Sequence, residues 1–268
     1  MISWERSINI KTPYEIEIMR EAGRINAEAL SAVTESVKPG VTTAELNAAF
    51  EAVQKKYEVY SPFKNYPGPY PYPASVCTSV NEELVHGIPG DRVLVEGDIV
   101  SIDGGTVYQG FVGDMSVTLP VGKVARGTQK LIDVTREALA IAISKMTPGN
   151  TTGDVGFAVQ TFVEEQGFHI TRTYTGHGVG RKMHEGPQVP NYGKPGRGMR
   201  LREGMTIALE PMVLVGTAFT VVKDDEWTVA SADGSLTAHF EHTVVVTVNG
   251  PEILTLYSSD ETGLKTEQ

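Results

Sequence analysis

An α/β fold of the α+β kind, with a mostly antiparallel sheet laid down in two related halves, is what the sequence predicts, on three observations. Two amphipathic helices precede any strand, β-rich runs punctuated by glycine follow, and the same order returns roughly a hundred residues later. Thr12, Pro13 and Glu15 make a capping box with proline at the first helical position, and Met19, Ala22, Asn26, Leu30, Val33 and Val37 recur three or four apart. This helix should end near Lys38, Pro39 and Gly40. The next begins at Thr42, with Glu45 as its reciprocal cap and Leu46, Ala49, Phe50, Val53 and Tyr57 as its buried stripe.

Beyond the proline-rich NYPGPYPYP, the runs ASVCTSV, DIVSIDGG and DMSVTLPV have the β-branched content of strands. A helix from about Gly127 to Met146 then leads to PGNTTGDV, which echoes the earlier PGVTTAEL and opens a stripe of Val155, Val159 and Val163. LVEGDIVSID, ending at Asp103, matches LREGMTIALE, ending at Glu210; DMSVTLPVG, starting at Asp114, matches EHTVVVTVNG, starting at Glu241. Two copies are too few for a solenoid, so a single domain over 1–268 is expected. Its halves would run from about 12 to 125 and from 126 to 255, with 256–268 as a tail.

Composition narrows the class. Of 268 residues, 40% are hydrophobic and 21% charged, and no apolar run approaches the roughly 18 residues that span a bilayer, so no membrane partner is expected. The start lacks a basic segment followed by an apolar core, and Cys77 is the only cysteine. A cytoplasmic, reducing setting is the expectation. The net charge of −10 argues against a nucleic-acid partner, which needs a basic face to displace counterions.

The matched positions carry an acid in both halves: Asp103 with Glu210, Asp114 with Glu241. Asp103 and Glu210 each follow an apolar run, and burying an ionised acid is costly unless a cation or metal offsets it. Each acid alone could be a turn acid in water, but no matching arginines lie near the four. His177, in the glycine-rich loop YTGHGVG, supplies a nitrogen, although a turn histidine with no role is as common. One imidazole with four carboxylates is an oxygen-rich set suited to manganese, iron(II) or cobalt, with zinc possible, and five ligands exceed the usual needs of one ion. Two bridged ions would use them all. His86 and His184, in loops, could be surface residues or could donate to a developing oxyanion or leaving amine. His169, His239 and His242 receive no catalytic role; the last two flank Glu241 and could orient its strand.

Together VCTSVNEELVHGIPG, DGG with an acid eleven residues after Asp103, GHGVGRKMHEGPQV, ALEP and FEHTVVV closely resemble methionine aminopeptidase of the short bacterial type, over about Thr12 to Thr255. The resemblance implies the pita-bread fold, two α/β halves enclosing a metal centre, and removal of the initiator methionine from nascent chains with a small second residue. It implies that Asp114 and Glu241 bridge two divalent ions, that Asp103 holds one, that His177 and Glu210 complete the other, and that a bridging hydroxide is the nucleophile. It further implies that Glu210 shuttles the proton, that His184 stabilises the tetrahedral intermediate, and that His86 contacts the substrate near the scissile nitrogen. The pocket walls it implies are Tyr72, Cys77, Trp227 and Met183, with His86 and His184 at the edge. Nascent N-termini, a transient encounter with the ribosome and a monomeric state come with it.

Two features depart from the family pattern. Met183 stands where phenylalanine is usual, and NYPGPYPYP replaces the customary approach loop with a stiffer one. A thioether wall is softer than a phenyl ring, so discrimination at the first residue should be relaxed. Two other readings share the scaffold: an X-Pro dipeptidase, whose relatives usually carry a large extra N-terminal domain, and a metal-free binding protein, which would have lost ligands.

Overall fold

The computed structural model describes residues 8–256; the tail from 257 onward lies outside the described residues. The chain opens with α1 (Pro13–Ser36) and α2 (Thr43–Lys56), followed by β1 (Val76–Val80), β2 (Glu83–Val85), β3 (Ile99–Tyr108) and β4 (Phe111–Pro120). Helices α3 (Arg126–Ser144) and α4 (Thr152–Glu165) begin the second half. Ten further strands follow: β5 (His169–Ile170), β6 (Thr175–Gly178), β7 (Glu185–Pro190), β8 (Thr206–Leu209), β9 (Met212–Leu214), β10 (Thr220–Val222), β11 (Val229–Ser231), β12 (Thr237–His239), β13 (Glu241–Thr247) and β14 (Gly250–Ile253).

Three of the four helices among the described residues start at reciprocal capping boxes. Thr12 with Glu15, Thr42 with Glu45 and Thr151 with Asp154 each satisfy two backbone N–H groups that the first turn leaves unpaired. The PG-x-TT signatures thus mark the starts of α2 and α4, as their spacing predicts. Helix α3 has Ala125 at its cap and no side-chain cap hydrogen bond.

The main sheet has the order β1-β3-β4-β13-β8-β6-β7, with β14 paired to β13. Every ladder among the described residues is antiparallel. The centre of this order is symmetric in kind: β3 and β4 lie on one side, β13 and β8 on the other, and β4 meets β13 at the seam. Each half has its own core. Leu30, Leu46 and Phe50 from α1 and α2 pack on Val76, Val100 and Ile102, whereas Leu131, Leu139, Val155 and Val159 from α3 and α4 pack on Ile207 and Val244. Burying each such side chain contributes about 1.5–3 kcal/mol. The helices cover one face of the strands; alternation then turns every second residue of β3, β4 and β13 to the opposite face.

Two small sheets, β10-β11-β2 and β12-β9-β5, were not foreseen from the pattern. Their strands are two or three residues long, too short for periodicity to register. No helix among the described residues is long and apolar enough to cross a membrane.

Candidate metal centre

The acids gather where the two halves join. Asp103 on β3 lies in register with Ser116 on β4, and Ser116 in register with Glu241 on β13, while Asp114 is two residues from Ser116 and shares its face. The seam is locked by Thr243, whose hydroxyl accepts from the Asp114 N–H and donates to the Asp114 carbonyl, both at 3.0 Å. Glu210 follows β8 directly, and Asn191 donates to its carbonyl at 2.8 Å. Strand β3 runs on through Gly104 and Gly105 to Tyr108, so Asp103, at the end of the apolar run, sits mid-strand.

His177 also stands in a strand, β6, and not in the loop its glycines predicted. The physical reason is close packing. A Cβ at Gly176 would lie 2.6 Å from the Ala208 carbonyl oxygen, and one at Gly178 would lie 2.1 Å from that of Gly186. Glycine is what lets β6 lie between β7 and β8 here. The His177 Nδ1 donates to the Gly178 carbonyl at 3.0 Å, which leaves the Nε2 lone pair facing Glu210 Oε1 at 3.5 Å and Asp114 Oδ2 at 3.7 Å. Asp114, His177 and Glu241 each offer a ligand atom within 4.8 Å of the others.

Counter-charge from lysine or arginine is missing among the described residues. Among the described residues, Asp103 Oδ1, both Asp114 side-chain oxygens and Glu241 Oε1 are buried without a hydrogen-bond partner. Burial pushes the Asp114 carboxyl up to about 7. Burial and the neighbouring acids push Asp103, Glu210 and Glu241 well above the carboxylate range. Burial also holds the imidazoles neutral, His177 falling to about 3 and His86 and His184 to about 4. A cluster of acids that repel one another, beside neutral imidazoles, fits divalent metal ions: the cation supplies the charge that no described side chain does.

A cavity of about 140 Å³ opens onto this cluster. It is smaller than the roughly 300–1,000 Å³ of pockets for drug-sized ligands, so it suits one side chain and the bond next to it. Asp103, Asp114, His177, Glu210 and Glu241 line it, together with Tyr72, Cys77, His86, Met183, His184 and Trp227. The structure therefore brings every site residue singled out in the sequence to one place. It adds Phe63 and Tyr66, which the sequence reading missed although both adjoin or belong to the aromatic proline-rich stretch.

That stretch is docked and not loose. Asn65 and Tyr66 close it by backbone hydrogen bonds with Tyr72, the Trp227 indole N–H donates to the Tyr70 carbonyl at 3.2 Å, and the Trp227 ring packs edge-on against Tyr72. The Tyr66 hydroxyl lies 2.6 Å from His184 Nδ1, and the His184 ring meets that of His177 edge-on, with 4.3 Å between centroids. His86 holds a left-handed backbone (φ 62°) that a non-glycine residue adopts only under local constraint, here between Trp227 and Tyr174.

Comparison with known proteins decides the family. The profile of metallopeptidase family M24 matches residues 17–248. The chain belongs to that family. A relative described as methionine aminopeptidase from Clostridium acetobutylicum is 48% identical over 250 residues, covering 93% of this chain and 99% of its own. Among solved structures, a methionine aminopeptidase from Thermotoga maritima matches with a TM-score of 0.90 at 50% identity, over 93% of this chain and 99% of that one. One from Rickettsia prowazekii has the same TM-score at 42% identity, over 93% and 100%. Like other M24 peptidases in these comparisons, the chain has the pita-bread architecture, and metal-dependent peptide hydrolysis is the family's chemistry.

Proposed function

We propose that this M24 peptidase removes the N-terminal methionine from nascent proteins and peptides whose second residue is small. The observation that carries the reading is the meeting, in one cavity, of unpartnered buried carboxylates with a narrow apolar and aromatic wall. Asp114 and Glu241 would be shared between two ions, Asp103 would hold one, and His177 with Glu210 the other. Manganese, iron(II) or cobalt suits this donor set best, with zinc possible. Bound ions supply Lewis acidity for the scissile carbonyl and lower the pKa of an attacking water.

The chain's own groups do the rest. Glu210, in the cavity lining, carries the proton from water to the leaving amine. His184, neutral and held through Nδ1 by Tyr66, offers Nε2 to the oxygen that gains charge, and His86 faces the scissile nitrogen. Phe63, Tyr66, Tyr72, Cys77, Met183 and Trp227 enclose an unbranched thioether and leave a charged first residue without a partner. A monomer working in the cytoplasm, with passing contact to the ribosome, completes the proposal.

Metal-stripped protein incubated with Met-Ala-Ser, Met-Leu-Ser and Ala-Pro-Phe, with and without manganese or cobalt, tests it. Metal-dependent release of methionine from the first peptide alone is expected. Cleavage of the proline peptide would move the protein to the X-Pro peptidases, and no cleavage with any ion would leave a binding role. Leu-Ala-Ser in the same assay tests the Met183 wall: appreciable release of leucine is expected, and strict preference for methionine would contradict it.

A further inference from the structure

His239 was assigned no role in catalysis, yet the carboxylate cluster lies between it and His177. His177 Nε2 is 3.5 Å from Glu210 Oε1; on the other side, His239 Nε2 is 3.6 Å from Glu210 Oε2 and 3.8 Å from Glu241 Oε2. The residue is 1% exposed, and among the described residues neither of its ring nitrogens has a hydrogen-bond partner. A buried imidazole with both nitrogens unsatisfied calls for an explanation.

Its backbone is fixed. Thr118 accepts from the His239 N–H at 2.8 Å and donates to the His239 carbonyl at 2.7 Å, which ties the end of β12 to β4. The two-residue step to Glu241 then keeps both side chains beside Glu210. The two histidines differ in one respect that sets their roles. His177 spends its ring N–H on the Gly178 carbonyl and so presents a lone pair to the cluster. Among the described residues His239 has no carbonyl at Nδ1, and the groups nearest its Nε2 are the Glu210 and Glu241 carboxyls, which only accept once they are ionised, as metal ligands must be.

We propose that His239 is a positioning residue for the metal centre: its Nε2–H faces the Oε2 atoms of Glu210 and Glu241 and holds the two carboxylates in the orientation that metal binding requires. This rests on the M24 metal-site reading. Groups that orient metal ligands in this way typically alter metal affinity 10–100-fold when removed.

The test compares cobalt(II) binding by wild type, His239→Leu and His239→Gln, measured by titration calorimetry on metal-stripped protein. His239→Leu should bind at least one ion roughly 10–100-fold more weakly. His239→Gln, whose amide N–H can reach the same oxygens, should restore most of that loss. Wild-type affinity in His239→Leu would overturn the proposal; so would a loss in His239→Gln as large as in His239→Leu, which would make the imidazole a direct ligand. Should the leucine variant fail to fold, nitrogen NMR of zinc-loaded wild type decides alone. A protonated Nε2 on His239 supports the proposal, and a deprotonated Nε2 overturns it. Wild type that binds metal but releases no methionine would instead break the proposed function, and leave these comparisons standing.

Discussion

Two clusters of buried charge among the described residues are built on opposite terms. At the start of β7, the Glu185 carboxylate receives Lys11 Nζ at 2.6 Å, Asn9 Nδ2 at 3.0 Å and the N–H groups of Arg181 and Lys182 at 2.9 and 3.2 Å. At the seam of the main sheet, Asp103, Asp114 and Glu241 keep oxygens that nothing in the described chain satisfies. The first is a structural ion pair, completed by the fold, which pins the N-terminal arm to the strand following His184. The second is left incomplete by the described residues. The difference teaches how to tell structural from functional buried charge: count the partners, not the charges.

The contrast breaks most sharply on stability. Lys11→Met leaves Glu185 buried without its cation, and unfolding by denaturant should become easier by about 3–5 kcal/mol. Asp114→Asn should do the reverse to the metal-free protein, because it removes one charge from a repelling set; stability equal to or above wild type is expected. Its cost appears in function, where metal-dependent peptide cleavage should fall by more than about a hundredfold. Metal-free Asp114→Asn that melts well below wild type would show the acid to be structural.

Acid titration sharpens the same comparison. Burial alone would raise the Glu185 carboxyl, but hydrogen bonds from Lys11 and Asn9 and the charge of Lys11 outweigh it and hold the group below the usual carboxylate range. A lowered folded-state pKa stabilises above the unfolded value of about 4.3 and is lost as pH falls through the folded value. Wild type should therefore lose stability below about pH 4, and Lys11→Met should show a flatter acid limb there. Equal limbs would mean the pair contributes nothing.

A smaller effect belongs to the cavity rim. Tyr66→Phe removes one hydrogen bond to His184, worth about 1 kcal/mol, so kcat should fall roughly fivefold with KM little changed. An unchanged kcat would mean that the ring packing alone orients His184.

The sequence revealed one of these clusters far better than the other. Helices α1, α2 and α4 were legible because capping boxes are local and stereochemically strict. Asp103, Asp114, Glu210 and Glu241 were legible because each recurs at a matched place in two related segments. The Lys11–Glu185 pair was not, since 174 residues separate its members and no pattern links them. His177 was read as a loop residue because glycine signals flexibility in a sequence, whereas here it signals close strand packing. Tyr66 was hidden in a proline-rich run whose path depends on docking against Trp227, and Phe63 lies just before that run. His239 left a usable trace: His-x-Glu spacing in a β-rich run puts both side chains on one face, beside a position already suspected of binding metal.

The central claim is that the unpartnered acids await metal, and the shift in Tm when manganese is added to metal-stripped protein tests it most directly. At a free concentration about a hundred times Kd, one bound ion should stabilise the fold by about 2.7 kcal/mol, and the rise in Tm should vanish in Asp114→Asn. A wild-type Tm that does not move with manganese, cobalt or zinc would contradict the account.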